Sequence, residues 1–188
     1  MSDAKRTRDA WLALRCQLGE AAAFRELVAE MEGPLLYFAS KLLGNEREAP
    51  DVVQDVWAQA FAKIHKLRDP ESLRAWLYQL TRALAVGRIR SDVARERREA
   101  SLSGETAVSD DDTEARISNE NAQTLHRALD ALSLQHREVL TLHFLEELPL
   151  EQIAEIVNVP AGTIKSRLFY AKRSLRELLE SADAQPQS

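Results

Sequence analysis

The stretch "LPLEQIAEIVNVPAGTIKSRLFYAKRSL", Leu148 to Leu175, decides the fold, because it reads as helix, short turn, helix. Leu150, Ile153, Ala154 and Val157 line one face of the first helix. Asn158 enters a left-handed backbone conformation more readily than most residues, Val159 can plug the angle between the helices, and Pro160 blocks continuation. In the second helix Ile164, Leu168, Ala171, Leu175 and Leu178 recur at the spacing of a packed face. That leaves Thr163, Lys165, Ser166, Arg167, Phe169, Tyr170, Lys172 and Arg173 pointing outward. A helix-turn-helix lays the start of its second helix in the major groove, where Lys and Arg donate to guanine, Ser contacts several bases and an aromatic group touches thymine. Lys172 and Arg173, further along, suit phosphates.

The charge of this helix runs against that of the chain. From Gly162 to Arg176 there are basic residues and no acid, whereas the 188 residues together carry a formal charge of −5. The imbalance is local. Residues 1–98 sum to +3, residues 99–121 to −6 and residues 122–188 to −2, so the net acidity belongs largely to "EASLSGETAVSDDDTEARISNEN". Seven acids against the single Arg116 predict a solvated, flexible acidic linker. A nucleic-acid surface is a local field, which the overall charge does not report. The bland reading of the basic helix, a solvated surface, is weakened by the absence of acids and by the turn before it.

Outward from this pair, glycine and proline are scarce at six each, and apolar residues recur every three or four positions almost throughout. The expectation is an all-α protein of two small helical domains: residues 1–98, a linker over 99–121, residues 122–181, and a disordered tail over 182–188. Helix signals run over 9–18, 20–31, 34–43, 46–65, 70–97, 119–132, 134–145, 150–157 and 161–181. Pro34, after Gly33, is read as the first residue of a new helix. No apolar run reaches the ~20 residues of a membrane span, and the start "MSDAKRTRDAW" has no signal-peptide core, so a cytoplasmic protein is expected. Cys16 stands alone and reads as a buried thiol.

In the first half, "EREAPDVVQDVWAQAFAKIHKL" has an apolar face of Val53, Val56, Trp57, Ala60, Phe61 and Ile64 and an outward set of Asp51, Gln54, Asp55 and Gln59. Trp57, Phe61 and Trp76 read as core aromatics. Six arginines from Arg82 to Arg98 face only Asp92 and Glu96, which predicts a second polyanion-binding surface. The loop "RDPES", held by Pro70 and Asp69, lies beside them, where it could receive an extruded base if the domain handles unpaired DNA.

Both halves together resemble the extracytoplasmic-function sigma factors, the smallest bacterial sigma subunits of RNA polymerase. "AAFRELVAEMEGPLLYFASKLLGNEREAPDVVQDVWAQAFAKI" and "SLRAWLYQLTRALA" are similar to the family's region 2. "LDALSLQHREVLTLHFLEELPLEQIAEIVNVPAGTIKSRLFYAKRSLRELL" is similar to region 4, in the family's order. The resemblance implies that Asp51, Gln54 and Asp55 dock on a coiled coil of the polymerase's largest subunit. It implies that Arg68, Asp69, Ser72 and Arg74 surround a captured minus-10 base, and that Arg82, Arg88 and Arg90 lie near the strand-separated DNA. Thr163, Lys165, Ser166, Arg167, Phe169, Tyr170, Lys172 and Arg173 fall on the helix that meets the minus-35 element. Three positions depart from the family pattern: Ala83 replaces a common Asn, Tyr170 a frequent basic residue, and Asn158 the usual turn Gly.

The implied function is a promoter-specificity subunit that recruits core RNA polymerase to promoter DNA, under control of an anti-sigma factor, with no covalent chemistry. The linker permits it: about 20 extended residues reach ~70 Å, against ~34 to 36 Å for one duplex turn. The alternatives are a helix-turn-helix regulator with a sensor domain, or a sigma mimic that only binds an anti-sigma factor. No cofactor, metal or small-molecule substrate is expected, since His65, His126, His136 and His143 form no i, i+4 pair and no phosphate loop or catalytic set appears.

Overall fold

The computed structural model describes residues 3–103 and 120–183. The first helical group comprises α1 (Asp3–Gln17), α2 (Ala21–Leu43), α3 (Ala49–Lys63) and α4 (Leu73–Ser103). The second comprises α5 (Glu120–Asp130), α6 (Leu134–Leu140), α7 (Leu150–Val157) and α8 (Ala161–Asp183). Among the described residues there is no strand. Local chemistry sets several boundaries. Gly44 ends α2 in the left-handed region at φ 69°, its N–H donating to the Ser40 carbonyl, and Pro50 occupies the first turn of α3, where its missing N–H costs no bond. Asp69 accepts from the Glu71 N–H and opens the short 3₁₀ turn Pro70–Ser72, which leads into α4.

Several expectations need correction. Helix α2 runs unbroken through Pro34, so the residue does not start a new helix. Burial of Met31, Leu35, Phe38 and Leu42 along one side outweighs the single backbone bond that proline removes. α6 does not continue as a regular helix to Leu145 but widens into a π turn over Thr141–Leu145. α4 continues to Ser103 and α5 starts at Glu120, so both ends of the expected 99–121 linker are helical. α8 likewise runs through Asp183, into the expected 182–188 tail, while residues 104–119 and 184–188 lie outside the described residues.

α4 organises the first group. It packs against α1, α2, α3 and α7, which buries Leu73, Ala75, Leu77, Tyr78, Thr81 and Ala85 around its first turns. Trp57 and Trp76 lie half-buried against this core, while Phe61 is not in it: its ring is 71% exposed and rests edge-on against Phe24 at 5.2 Å. Cys16 is buried, and burial pushes its thiol upward in pKa. The two helical groups share one continuous buried cluster, with α7 against α4 and α6 against α2.

Candidate nucleic-acid and protein-docking surfaces

The turn between α7 and α8 forms as its residues require. Asn158 adopts φ 58° and ψ 53°, and its N–H donates to the Ala154 carbonyl. The Val159 N–H donates to the same carbonyl, while the Val159 side chain packs against the core. Pro160 cannot extend α7, and its carbonyl accepts from Thr163 and Ile164 at 2.9 and 3.2 Å, starting α8.

α8 buries Ile164, Leu168 and Ala171, with Leu175 and Leu178 partly covered. Lys165, Ser166, Phe169, Tyr170, Lys172 and Arg173 are exposed. Thr163 and Arg167 are half-buried, because each lies at the edge of the apolar stripe. Phe169 and Tyr170 meet edge to face at 5.4 Å. Arg173 donates to Glu177 at 2.9 Å, and the Lys172 ammonium stands 5.1 Å from the Phe144 ring centroid. Such exposed contacts are weak and exchange easily for a phosphate.

On the first group, Arg68 and Asp69 are exposed at the loop, and Ser72 is half-buried with its hydroxyl donating to the Asp69 carbonyl at 2.6 Å. Arg74 is a correction: it is only 7% exposed, donating to Asp9 at 2.6 Å and to the Met31 sulfur at 3.0 Å. Its guanidinium serves the junction of α1, α2 and α4 and presents no face to DNA. Arg82 is half-buried and donates to Glu138 of α6 at 2.5 Å. Arg88 is exposed and approaches Glu48 at 3.2 Å and Asp92 at 3.7 Å, and Arg90 is exposed. Asp51, Gln54 and Asp55 form an exposed acidic and amide face on α3, shared with Ala58, Phe61 and Ala62. Phe61 stands two turns from Gln54 on the same side, a neighbour that its place in the apolar period assigned to the core.

Other functional groups escape a reading of the sequence alone. Glu138 is 3% exposed, and burial raises its pKa against the pull of Arg82 and, more weakly, Arg167. An apolar groove of about 500 Å³ lies on the second group between Leu125, Phe144, Leu145, Leu175 and Leu179, rimmed by Lys172 and Arg176. Its walls come from three elements, so no single periodicity announces it.

With these surfaces in place, comparison with known proteins is informative. The family model for sigma-70 region 2 matches residues 27–95, and that for sigma-70 region 4 matches residues 128–177. The RNA polymerase sigma-H factor of Pseudomonas aeruginosa is 30% identical over 183 residues, spanning 92% of this chain and 94% of its own. The ECF RNA polymerase sigma factor SigW of Bacillus subtilis is 28% identical over 170 residues, 86% of this chain and 91% of its own. Among solved structures, the sigma factor RpoE in complex with the anti-sigma factor NepR, from Bartonella quintana, is 30% identical with a TM-score of 0.68, covering 84% of this chain and 96% of that one. CnrH in complex with the cytosolic domain of CnrY shares the fold at 24% identity and a TM-score of 0.67, over 92% and 97% of the two chains.

Proposed function

The chain belongs to the extracytoplasmic-function branch of the sigma-70 family of RNA polymerase sigma factors, and from that premise we propose how its surfaces divide the work of promoter-directed initiation. The acidic and amide face of α3, with Asp51, Gln54 and Asp55, docks on a basic surface of core RNA polymerase. The α3–α4 loop, with Arg68, Asp69 and Ser72, receives a minus-10 base, while Arg82, Arg88 and Arg90 hold nearby single-stranded DNA. α8 enters the minus-35 major groove: Thr163, Lys165, Ser166, Arg167, Phe169 and Tyr170 face bases, and Lys172 and Arg173 face phosphates. Residues 1–98 and 122–181 act as the two DNA-engaging domains.

The observation that carries this reading is the first half of α8, where the exposed side chains Lys165, Ser166, Phe169, Tyr170, Lys172 and Arg173 include three cations and no acid, on the second helix of a helix-turn-helix. The protein forms and breaks no covalent bond in this role: it lowers the barrier to initiation by binding. It works in the cytoplasm, where polymerase and DNA are, and no helix among the described residues is long and apolar enough to cross a membrane. An anti-sigma factor is the proposed regulator, by analogy with the complex of RpoE with NepR. Run-off transcription with purified core polymerase on genomic DNA tests the assignment. Discrete new start sites that require the protein support it, and their absence sinks it.

A further inference from the structure

The loop between α3 and α4 is held from behind by α1, a helix with no part in the surfaces described so far. Gln17, the last residue of α1, donates through its side-chain amide to two carbonyls, that of Ile64 at 3.1 Å and that of Leu67 at 2.7 Å. Arg6, nearer the start of α1, donates to Glu71 in the 3₁₀ turn Pro70–Ser72 at 2.5 Å. Asp9, 3% exposed, accepts from Arg74 just past that turn at 2.6 Å. The end of α1 thus grips the entry of the loop, and its first half grips the exit.

These ties do more than pack the helix. A peptide unit is planar, so fixing the Leu67 carbonyl also fixes the plane that carries the Arg68 N–H, and with it the direction in which the chain enters the exposed pair Arg68 and Asp69. Arg6 and Gln17 lie about three helical turns apart, on the same side of α1 and ~16 Å from each other along its axis. Both ends of the loop are therefore pinned to one rigid body. The bonds inside the loop, from the Glu71 N–H to the Asp69 carboxylate and from the Ser72 hydroxyl to the Asp69 carbonyl, shape the turn. The ties from α1 orient that turn on the domain.

We propose that Gln17, seconded by Arg6, is a positioning residue for recognition of the minus-10 base: α1 presets the loop, so that base capture need not order it. This rests on the base-capture role proposed above. A loop that must be ordered on binding gives up affinity, because each residue loses backbone freedom, and a loop without a fixed shape accepts more than one base. Gln17 is half-buried and makes two bonds, whereas the Arg6–Glu71 pair is about half-exposed on both sides and correspondingly weak. Gln17 therefore carries the larger share.

Gln17→Glu keeps nearly the same shape but has no N–H to donate and turns a carboxylate towards two carbonyl oxygens. Core polymerase carrying the full chain is bound to DNA that is randomised in a duplex minus-35 tract and in an unpaired minus-10 strand, and the bound pool is sequenced. Wild type should select a base at one unpaired position. Gln17→Glu should lower that selectivity about three- to tenfold, the net worth of roughly one hydrogen bond, with minus-35 selection and affinity for core polymerase unchanged. Arg6→Glu should relax the same position, and adding Glu71→Arg should restore it, which a direct phosphate contact by Arg6 would not do. Arg6 and Glu71 are exposed, so this pair tests the brace even where Gln17→Glu fails to fold. Unchanged selectivity in folded Gln17→Glu, a loss shared equally with minus-35 selection, or a charge swap that restores nothing overturns the proposal. A wild type that selects no base in the unpaired strand sinks the base-capture reading instead.

Discussion

Tyr170 is exposed on α8 beside Phe169, about two turns beyond the start of the proposed reading face. A phenol donates one hydrogen bond or stacks on a sugar, but it lacks the bidentate grip of arginine on guanine. Tyr170→Arg should therefore change which minus-35 base is preferred in selection from a randomised promoter library, and an unchanged motif would remove residue 170 from the reading set. Lys165 is the simpler case, exposed in the first turn and a half of the helix. Lys165→Ala should cost about 1 to 3 kcal/mol on a cognate minus-35 duplex and relax preference at one position, measured by titration against single-base variants. Arg74 shows where residue-scale reading stops. The residues around it do not announce its burial, which comes from remote partners: Asp9, 65 positions earlier, and the Met31 sulfur, 43 positions earlier.

At the scale of elements, the helices were legible because burial on one side imposes a 3.6-residue period that needs no tertiary knowledge. Both helices of the 148–175 unit and their Asn158 corner follow from that period and from local turn chemistry. Phe61 was not legible, since it lies beside an apolar stripe whose positions Val53, Val56, Ala60 and Ile64 are all buried, while its own ring stays exposed and rests against the half-buried Phe24. Pro34 misled for a related reason: local preference marks a boundary, while burial on both sides of it holds α2 together. α3 supports a second kind of test. If Asp51, Gln54 and Asp55 dock on polymerase, Asp51→Lys with Asp55→Lys should weaken binding to core polymerase at least tenfold while thermal stability is retained, because both side chains are exposed. Equal affinity in a titration would remove this face. For the rear of α8, replacing Lys172 and Arg173 with Ala should weaken cognate and mutant minus-35 sites alike and lower the salt slope by about one unit for each phosphate that is no longer neutralised. A selective loss on the cognate site would instead make them base readers.

At the scale of the molecule, the junction between the two halves was invisible to the sequence because its partners are remote and chemically ordinary. Nothing about Tyr37 or His126 alone announces that they meet at 3.2 Å. Their meeting has a pH signature. Burial lowers the pKa of His126 from 6.5, Lys41 lowers it further, and Asp130 and Glu46 pull it back up. The folded form therefore favours the neutral ring more than the unfolded chain does. A depressed folded-state pKa contributes stability that is present above about 6.5 and is lost as pH falls through that value towards the folded one. Tyr37 does not compete in this window, since burial and nearby carboxylates push its phenol up to about 12. The melting temperature should accordingly fall between pH 7.5 and 5.5. His126→Gln keeps a polar side chain without the titration and should flatten the His126 share of that slope. Identical slopes in wild type and variant would show that His126 does not couple proton binding to folding.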